Sequence, residues 1–285
     1  MIDVARGAGA VSALLHVNVQ VAAQALVWHD LSVSEGQLTR TDLDRLLSFD
    51  SVSMVFPDGT HALDDVSFDV HAGEFVTIVG PSGCGKSTVL RIASGLLANS
   101  GGSYELADDN LGYVFQDATL LPWRTVLKNV ELFDELRGGD KAVRRSNAMK
   151  TIETVGLGGF EKHHPRRLSG GMRMRVSLAR SLTMSPQVFL FDEPFGALDE
   201  ITRQNLNEEV GRLFKALNFA GLFITHSIPE AVFMSTKVLV MSSRPGRIID
   251  SFDVPFEYPR TSDLRYDPEF ARLSGEISMS LAEGH

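Results

Sequence analysis

"FVTIVGPSGCGKST", residues 75–88, decides how the rest of the chain is read. Its first five residues are apolar except for one threonine, and such a run without alternation suits a strand buried on both faces of a parallel sheet. It leads directly into Gly80, Pro81, Ser82, Gly83, Cys84, Gly85, Lys86, Ser87 and Thr88, after which Val89, Ile92, Ala93 and Leu96 recur at helical spacing. Strand, glycine loop and helix together give the pattern G-x-x-x-x-G-K-[ST] its mechanics. The glycines let the backbone curl so that successive N–H groups point inward, and the helix N-terminus adds positive potential. Lys86 is then placed to reach the β- and γ-phosphates of a nucleotide, and the Ser87 hydroxyl to coordinate Mg²⁺. Because Cys84 lies inside the loop, its alkylation is expected to block nucleotide binding and to be slowed by bound nucleotide.

On the N-terminal side, "LLSFDSVSMVF" and "ALDDVSFDV" alternate apolar and polar residues on either side of a Pro-Asp-Gly turn at 57–59, which predicts a hairpin. Downstream, the apolar run of "QVFLFDEP", 187–194, ends in Asp192 and Glu193. Ligands of parallel sheets sit beyond the carboxyl ends of the strands, so these acids and the glycine loop are expected to share one crevice. Asp192 then serves as the Mg²⁺ partner and Glu193 as the group that polarises an attacking water. A third such strand, "GLFITH", ends at His226. A histidine there is by itself most often structural, but beside the other two strand ends it fits a γ-phosphate contact.

"LSGGMRMR", 168–175, makes a second anion reader. Ser169 stands where an N-cap would, Gly170 and Gly171 leave amides bare, and Met172, Val176, Ala179 and Leu182 form the apolar stripe of a helix with Arg173, Arg175 and Arg180 on other faces. If 80–88 holds this chain's own nucleotide, the second reader is spare, which suggests the phosphate of a second subunit.

The 285 residues, 44% of them hydrophobic, suffice for one large domain or two small ones. A formal charge of -9 without a basic cluster argues against nucleic acid as a partner. The single cysteine excludes an internal disulfide and fits a reducing compartment. Residues 7–28 carry no Asp, Glu, Lys or Arg, yet His16, Asn18, Gln20 and Gln24 interrupt them, which argues against a membrane span, and Asp3 and Arg6 argue against a signal peptide.

From about 46 to 249 the chain resembles the ATP-binding subunit of ABC transporters. The resemblance rests on "GPSGCGKST" as Walker A, Gln116 in "YVFQD" as the Q-loop, "LSGGM" as the signature, "VFLFDEP" as Walker B, "GALD" at 196–199 as the D-loop and "ITH" ending at His226 as the switch, all in order. It implies a head-to-tail dimer with a second ATP-binding subunit, most simply an identical one, in which Ser169, Gly170 and Gly171 contact the partner's ATP. It further implies Gln116 at the metal and in catalysis, Asp199 in the D-loop, and Phe56 stacked on adenine, although an exposed strand phenylalanine explains Phe56 nearly as well. "LLPWRTVLKNV", "LSGGMR" and "VLVMSSRPGRI" resemble the nitrate, sulfonate and taurine importer group. That implies a peripheral subunit on the cytoplasmic face of the inner membrane, working on integral-membrane permease subunits that a periplasmic or surface solute-binding protein feeds. "DATLLPWRTV" would touch the permease.

The chain departs from the family pattern in three places. Met172 replaces the signature's usual glutamine, 88–116 is short, and 1–45 has no counterpart. A coiled-coil relative is disfavoured by the short stretch between Gln116 and the signature, which lacks heptads; a translation-factor relative by the single cassette; and a plain P-loop kinase or GTPase by LSGGM and His226. A non-transport ATPase acting as a clamp or regulator stays open. The expected architecture is a RecA-like α/β core at 46–255 with an antiparallel β subdomain and an α-helical subdomain at about 126–185, in which Gly156 closes a helix; 256–285 reads as a tail that packs plainly.

Overall fold

A computed structural model describes residues 45–284. The candidate membrane stretch and most of the N-terminal extension lie outside the described residues.

Two sheets organise the chain. Strands β1 (Arg45–Val55), β2 (His61–His71) and β4 (Gly101–Leu106) form an antiparallel sheet in the order β2-β1-β4. Strands β3 (Phe75–Val79), β5 (Leu111–Val114), β6 (Val188–Asp192), β7 (Ala220–Thr225), β8 (Lys237–Met241) and β9 (Ile248–Asp253) form the second sheet in the order β5-β6-β7-β3-β8-β9. It is parallel except for β9. The predicted hairpin is β1–β2, and its turn is closed by Gly59 N–H donating to the Phe56 carbonyl at 2.9 Å. The short stretch after the first helix still accommodates β4 and β5.

The period of two in the parallel strands divides the core between the faces of the sheet. Phe75, Phe189, Phe191 and Phe223 point to one face, where the helices α2 (Val126–Val130), α4 (Lys141–Thr154), α5 (Gly170–Leu182), α6 (Glu200–Leu217) and α7 (Ile228–Met234) pack. Val76, Ile78, Val188, Leu190, Leu222 and Ile224 point to the other, against α1 (Lys86–Ala93) and the inner residues Leu47, Phe49, Val52 and Val66 of the antiparallel sheet. A short helix α3 (Leu132–Leu136) packs Leu132 and Phe133 on Leu121. The final helix α8 (Pro268–Glu283) buries Phe270, Leu273 and Ile277 in the first of these cores, so the tail packs as expected.

Helix α1 ends earlier than its periodicity predicts. Ser94 N–H still reaches the Leu90 carbonyl, but Gly95 takes a φ of 70° and leaves Leu96 outside the helix. Gly156, at φ 66°, closes α4 as predicted. Among the described residues no helix is long and apolar enough to cross a membrane.

Candidate nucleotide site

In the parallel register Val79 lies opposite Thr225, and Asp192 opposite Ile224. The phosphate loop, Glu193 and His226 therefore leave the sheet along one edge. Gly85 precedes α1 at φ 116°, and a Cβ there would stand 2.8 Å from the Ala62 carbonyl oxygen, so only glycine fits. No side chain caps α1, which leaves its leading N–H groups to a ligand. Lys86 is buried, and its Nζ donates to the carbonyls of Gly80 (2.7 Å) and Pro81 (2.9 Å), which hold the ammonium over the loop.

Ser87 Oγ donates to Asp192 Oδ1 at 3.2 Å. Burial pushes the Asp192 carboxyl up, Ser87 opposes this, and the neighbouring Glu193 charge pushes it up further. Two adjacent carboxylates with a hydroxyl at one of them form an all-oxygen donor set that a hard cation would satisfy. Among the described residues no three His, Cys, Asp or Glu side chains come together as a metal cluster.

Glu193 takes a φ of 43°, unusual for a side chain of this kind and worth about 1–3 kcal/mol of strain. Its N–H donates to the Ile224 carbonyl (3.0 Å), and its Oε2 lies 2.9 Å from His226 Nδ1. The His226 side chain is 56% exposed against 25% for Glu193, so the pair opens outward from the sheet edge.

Sequence reasoning missed two residues of this site. Tyr113 directs its hydroxyl to Asp192 Oδ2 at 3.4 Å, and burial, then the Asp192 charge, keeps the phenol protonated so that it donates. Gln116 emerges exposed just beyond β5 at the same edge, but the contact to Asp192 comes from Tyr113. Arg180, read from the sequence as a residue off the apolar stripe, is fully buried. It donates to the carbonyls of Thr119 (3.1 Å) and Ala118 (3.3 Å) and so anchors the segment after Gln116. Burial alone pulls its pKa down to about 10. An arginine in a helix carries no local signal that a loop will cover it.

Two expectations need correction. The Cys84 side chain is buried, with its thiol pushed up by that burial; a Cβ on Gly80 would stand 2.9 Å from its sulfur. Alkylation is therefore resisted by the fold whether or not nucleotide is bound, and Cys84 can meet a nucleotide only through its backbone. Phe56 lies in the hairpin turn rather than in a strand, half-buried, with its N–H donating to the Thr60 carbonyl (2.9 Å).

The helix start expected at the signature forms, with Ser169 Oγ accepting from Met172 N–H at 3.2 Å. Its glycines lie against Leu198 and Thr202, not against the phosphate loop. Asp199 is the N-cap of α6, accepting from Thr202 N–H at 3.0 Å. Trp123 is 65% exposed on a loop held by Asn129, whose side chain binds both the N–H (2.7 Å) and the carbonyl (3.2 Å) of Leu121.

The ABC transporter family matches residues 63–196. A putative ATP-binding protein of Brucella abortus is 40% identical over 238 residues, covering 81% of this chain and 91% of that protein. The chain belongs to the ABC transporter ATP-binding proteins. The taurine import ATP-binding protein of Rhizobium johnstonii is 43% identical over 229 residues, 76% of this chain and 87% of that protein. A dimeric ATP-binding cassette in a post-hydrolysis state bound to ADP and Pi superposes with a TM-score of 0.65 at 29% identity, over 74% of this chain and all of that one. A cassette of Clostridium perfringens shares the fold, with a TM-score of 0.70 at 23% identity over 82% of this chain and 99% of that one. This ABC protein is accordingly an ATPase. Its family match ends at Gly196, short of His226.

Proposed function

We propose that this ABC ATPase energises an importer for a small anionic solute of the nitrate, sulfonate or taurine type, working as a head-to-tail dimer on membrane permease subunits at the cytoplasmic face. The observation that carries the dimer is the position of the signature. Ser169 caps a helix whose first two glycines pack towards Leu198 and Thr202, with no phosphate-loop atom within 4 Å of the space a Cβ would take, which supports reading their N–H groups as facing the anion of another chain. The solute class rests on the name of the Rhizobium relative. The exposed Trp123, on a loop braced by Asn129, is the surface that would meet the permease.

Within the site, the amides of 80–88 receive the phosphates and Lys86 exchanges its loop carbonyls for phosphate oxygens. Ser87, Asp192 and Gln116 would hold Mg²⁺, which when bound neutralises phosphate charge. Glu193 accepts the proton of the attacking water, and His226, 2.9 Å from its Oε2, fixes the carboxylate and meets the γ-phosphate. Phe56 stacks on adenine beside the loop, and Asp199 faces the partner.

The test is the solution mass of Glu193→Gln by light scattering, with and without Mg-ATP. A shift from monomer to dimer on adding ATP, with turnover lowered about a hundredfold or more, is expected. A monomer in ATP, with detergent-solubilised permease present as well, overturns the sandwich.

A further inference from the structure

Residues 243–247, the turn between β8 and β9, close on the outer side of the phosphate loop, and no role above uses them. Arg244 donates from Nε (3.1 Å) and from Nη2 (2.8 Å) to the carbonyl of Gly83, in the middle of the loop. Gly246 lies so close that a Cβ there would stand 2.3 Å from the Cys84 carbonyl oxygen. The turn is itself fastened to β2. Gly246 N–H donates to the Ala62 carbonyl (3.0 Å), Asp64 N–H donates to the Gly246 carbonyl (3.0 Å), and the Arg247 guanidinium pairs with Asp64, with Nε 3.0 Å from Oδ2. Ser243 N–H donates to the Gly284 carbonyl (3.2 Å), so the end of α8 braces it from behind. The Arg244 charge also reaches Asp58, in the turn that carries Phe56.

The consequence follows from one peptide unit. The carbonyl of Gly83 and the N–H of Cys84 belong to the same planar trans peptide and point in opposite directions. A guanidinium that grips the carbonyl with two donors in one plane fixes that peptide's orientation better than a single donor can. With the carbonyl held outward, the Cys84 N–H turns into the loop, where it meets the Pro81 carbonyl at 3.3 Å, a long bond that a phosphate oxygen would readily replace.

We propose that Arg244 is a positioning residue for nucleotide binding, which by holding the Gly83 carbonyl outward keeps the Cys84 N–H aimed into the phosphate loop. The proposal rests on the reading of 80–88 as the phosphate loop and adds a residue to it from the opposite end of the sequence. Arg244 itself is exposed, so its removal leaves the core intact.

The experiment compares the full chain with Arg244→Ala and Arg244→Lys, measuring Mg-ATP affinity by calorimetry, steady-state KM and kcat, and the thermal midpoint. Arg244→Ala should raise Kd and KM about five- to tenfold, with a much smaller change in kcat and in the midpoint. Arg244→Lys, which keeps one charged donor, should recover part of the affinity. A wild-type Kd in Arg244→Ala overturns the proposal. So does an affinity loss that merely follows a lowered midpoint and is not recovered by lysine. If Arg244→Ala does not fold, Arg244→Lys decides alone: a Kd raised about two- to threefold supports the role, and an unchanged one refutes it. Absence of Mg-ATP binding by the wild-type chain would instead overturn the phosphate-loop reading itself, and this proposal with it.

Discussion

Gly171 stands in the first turn of α5, where a Cβ would lie 2.6 Å from Thr202 Cγ2 and 3.7 Å from Leu206 Cδ1. Carbon atoms settle at about 3.5–4.0 Å, so Gly171→Ala must push α5 and α6 apart by about 1 Å at this point. Overpacking of that kind costs about 1–3 kcal/mol, while alanine for glycine in a helix returns at most about 1 kcal/mol, and less in a first turn. The expected net loss is about 1–2 kcal/mol, or a midpoint lowered by about 2–8 °C for a chain of this size. Thr202→Ser deletes the offending methyl but keeps the hydroxyl beside Asp199, and by itself should cost under about 1 kcal/mol. In the double variant the clash is gone and the helix preference remains, so stability should return close to that of the parent, with a coupling of about 2 kcal/mol. Urea unfolding of the four proteins at a common m-value measures the cycle. A Gly171→Ala protein as stable as the parent, or a double variant no better than the single one, would refute the packing argument. Turnover tests the same geometry, because Gly171 carries one of the amides assigned to the partner's ATP: it should fall in Gly171→Ala and recover with Thr202→Ser.

Cys84 should react negligibly with iodoacetamide near pH 7 in the folded chain, with or without Mg-ATP, and fully in urea; rapid native labelling would show that the burial over the thiol is wrong. Lys86→Ala should weaken Mg-ATP binding at least tenfold, and an unchanged Kd by calorimetry would remove Lys86 from the phosphates. Glu74 ties the β2–β3 turn to β8, accepting from His71 N–H (2.9 Å) and lying 3.5 Å from Lys237 Nζ. Burial raises its carboxyl, but the His71 hydrogen bonds and the Lys237 charge outweigh that and hold it below the ordinary 4.5. A depressed folded value stabilises above the unfolded pKa, and the contribution is lost as pH falls through the folded one. Glu74→Gln should therefore cost about 0.5–1.5 kcal/mol at pH 7 and nearly nothing in strong acid; an equal cost at both pH values would refute the assignment.

What could be read from the sequence was local. The run at 75–79 needed no partner to look buried, the glycines of 80–88 announced a curled backbone, and Ser169 before two glycines announced a helix start, because each property belongs to a few consecutive residues. What could not be read depended on which segments become neighbours. Tyr113 reaches Asp192 only because β5 lies beside β6, with Tyr113 opposite Leu190, a pairing that no alternation pattern encodes. Arg180 falls off the apolar stripe because the helical period records which face of α5 is apolar, and not that a loop from 118–119 will cover the opposite side. Glu193 is the reverse case. Its left-handed backbone is the conformation that a sequence normally marks with glycine, and no such mark stands at 193; the hydrogen bond from its N–H to Ile224 holds the turn that the side chain alone would disfavour, and the role proposed for the carboxylate gives a reason for the strain. Arg244 combines the two difficulties, being exposed, distant in sequence and bound to a backbone carbonyl. The strand ends and the glycine loop thus made the nucleotide edge legible, whereas the groups that aim it arrive through pairings that only the folded chain displays.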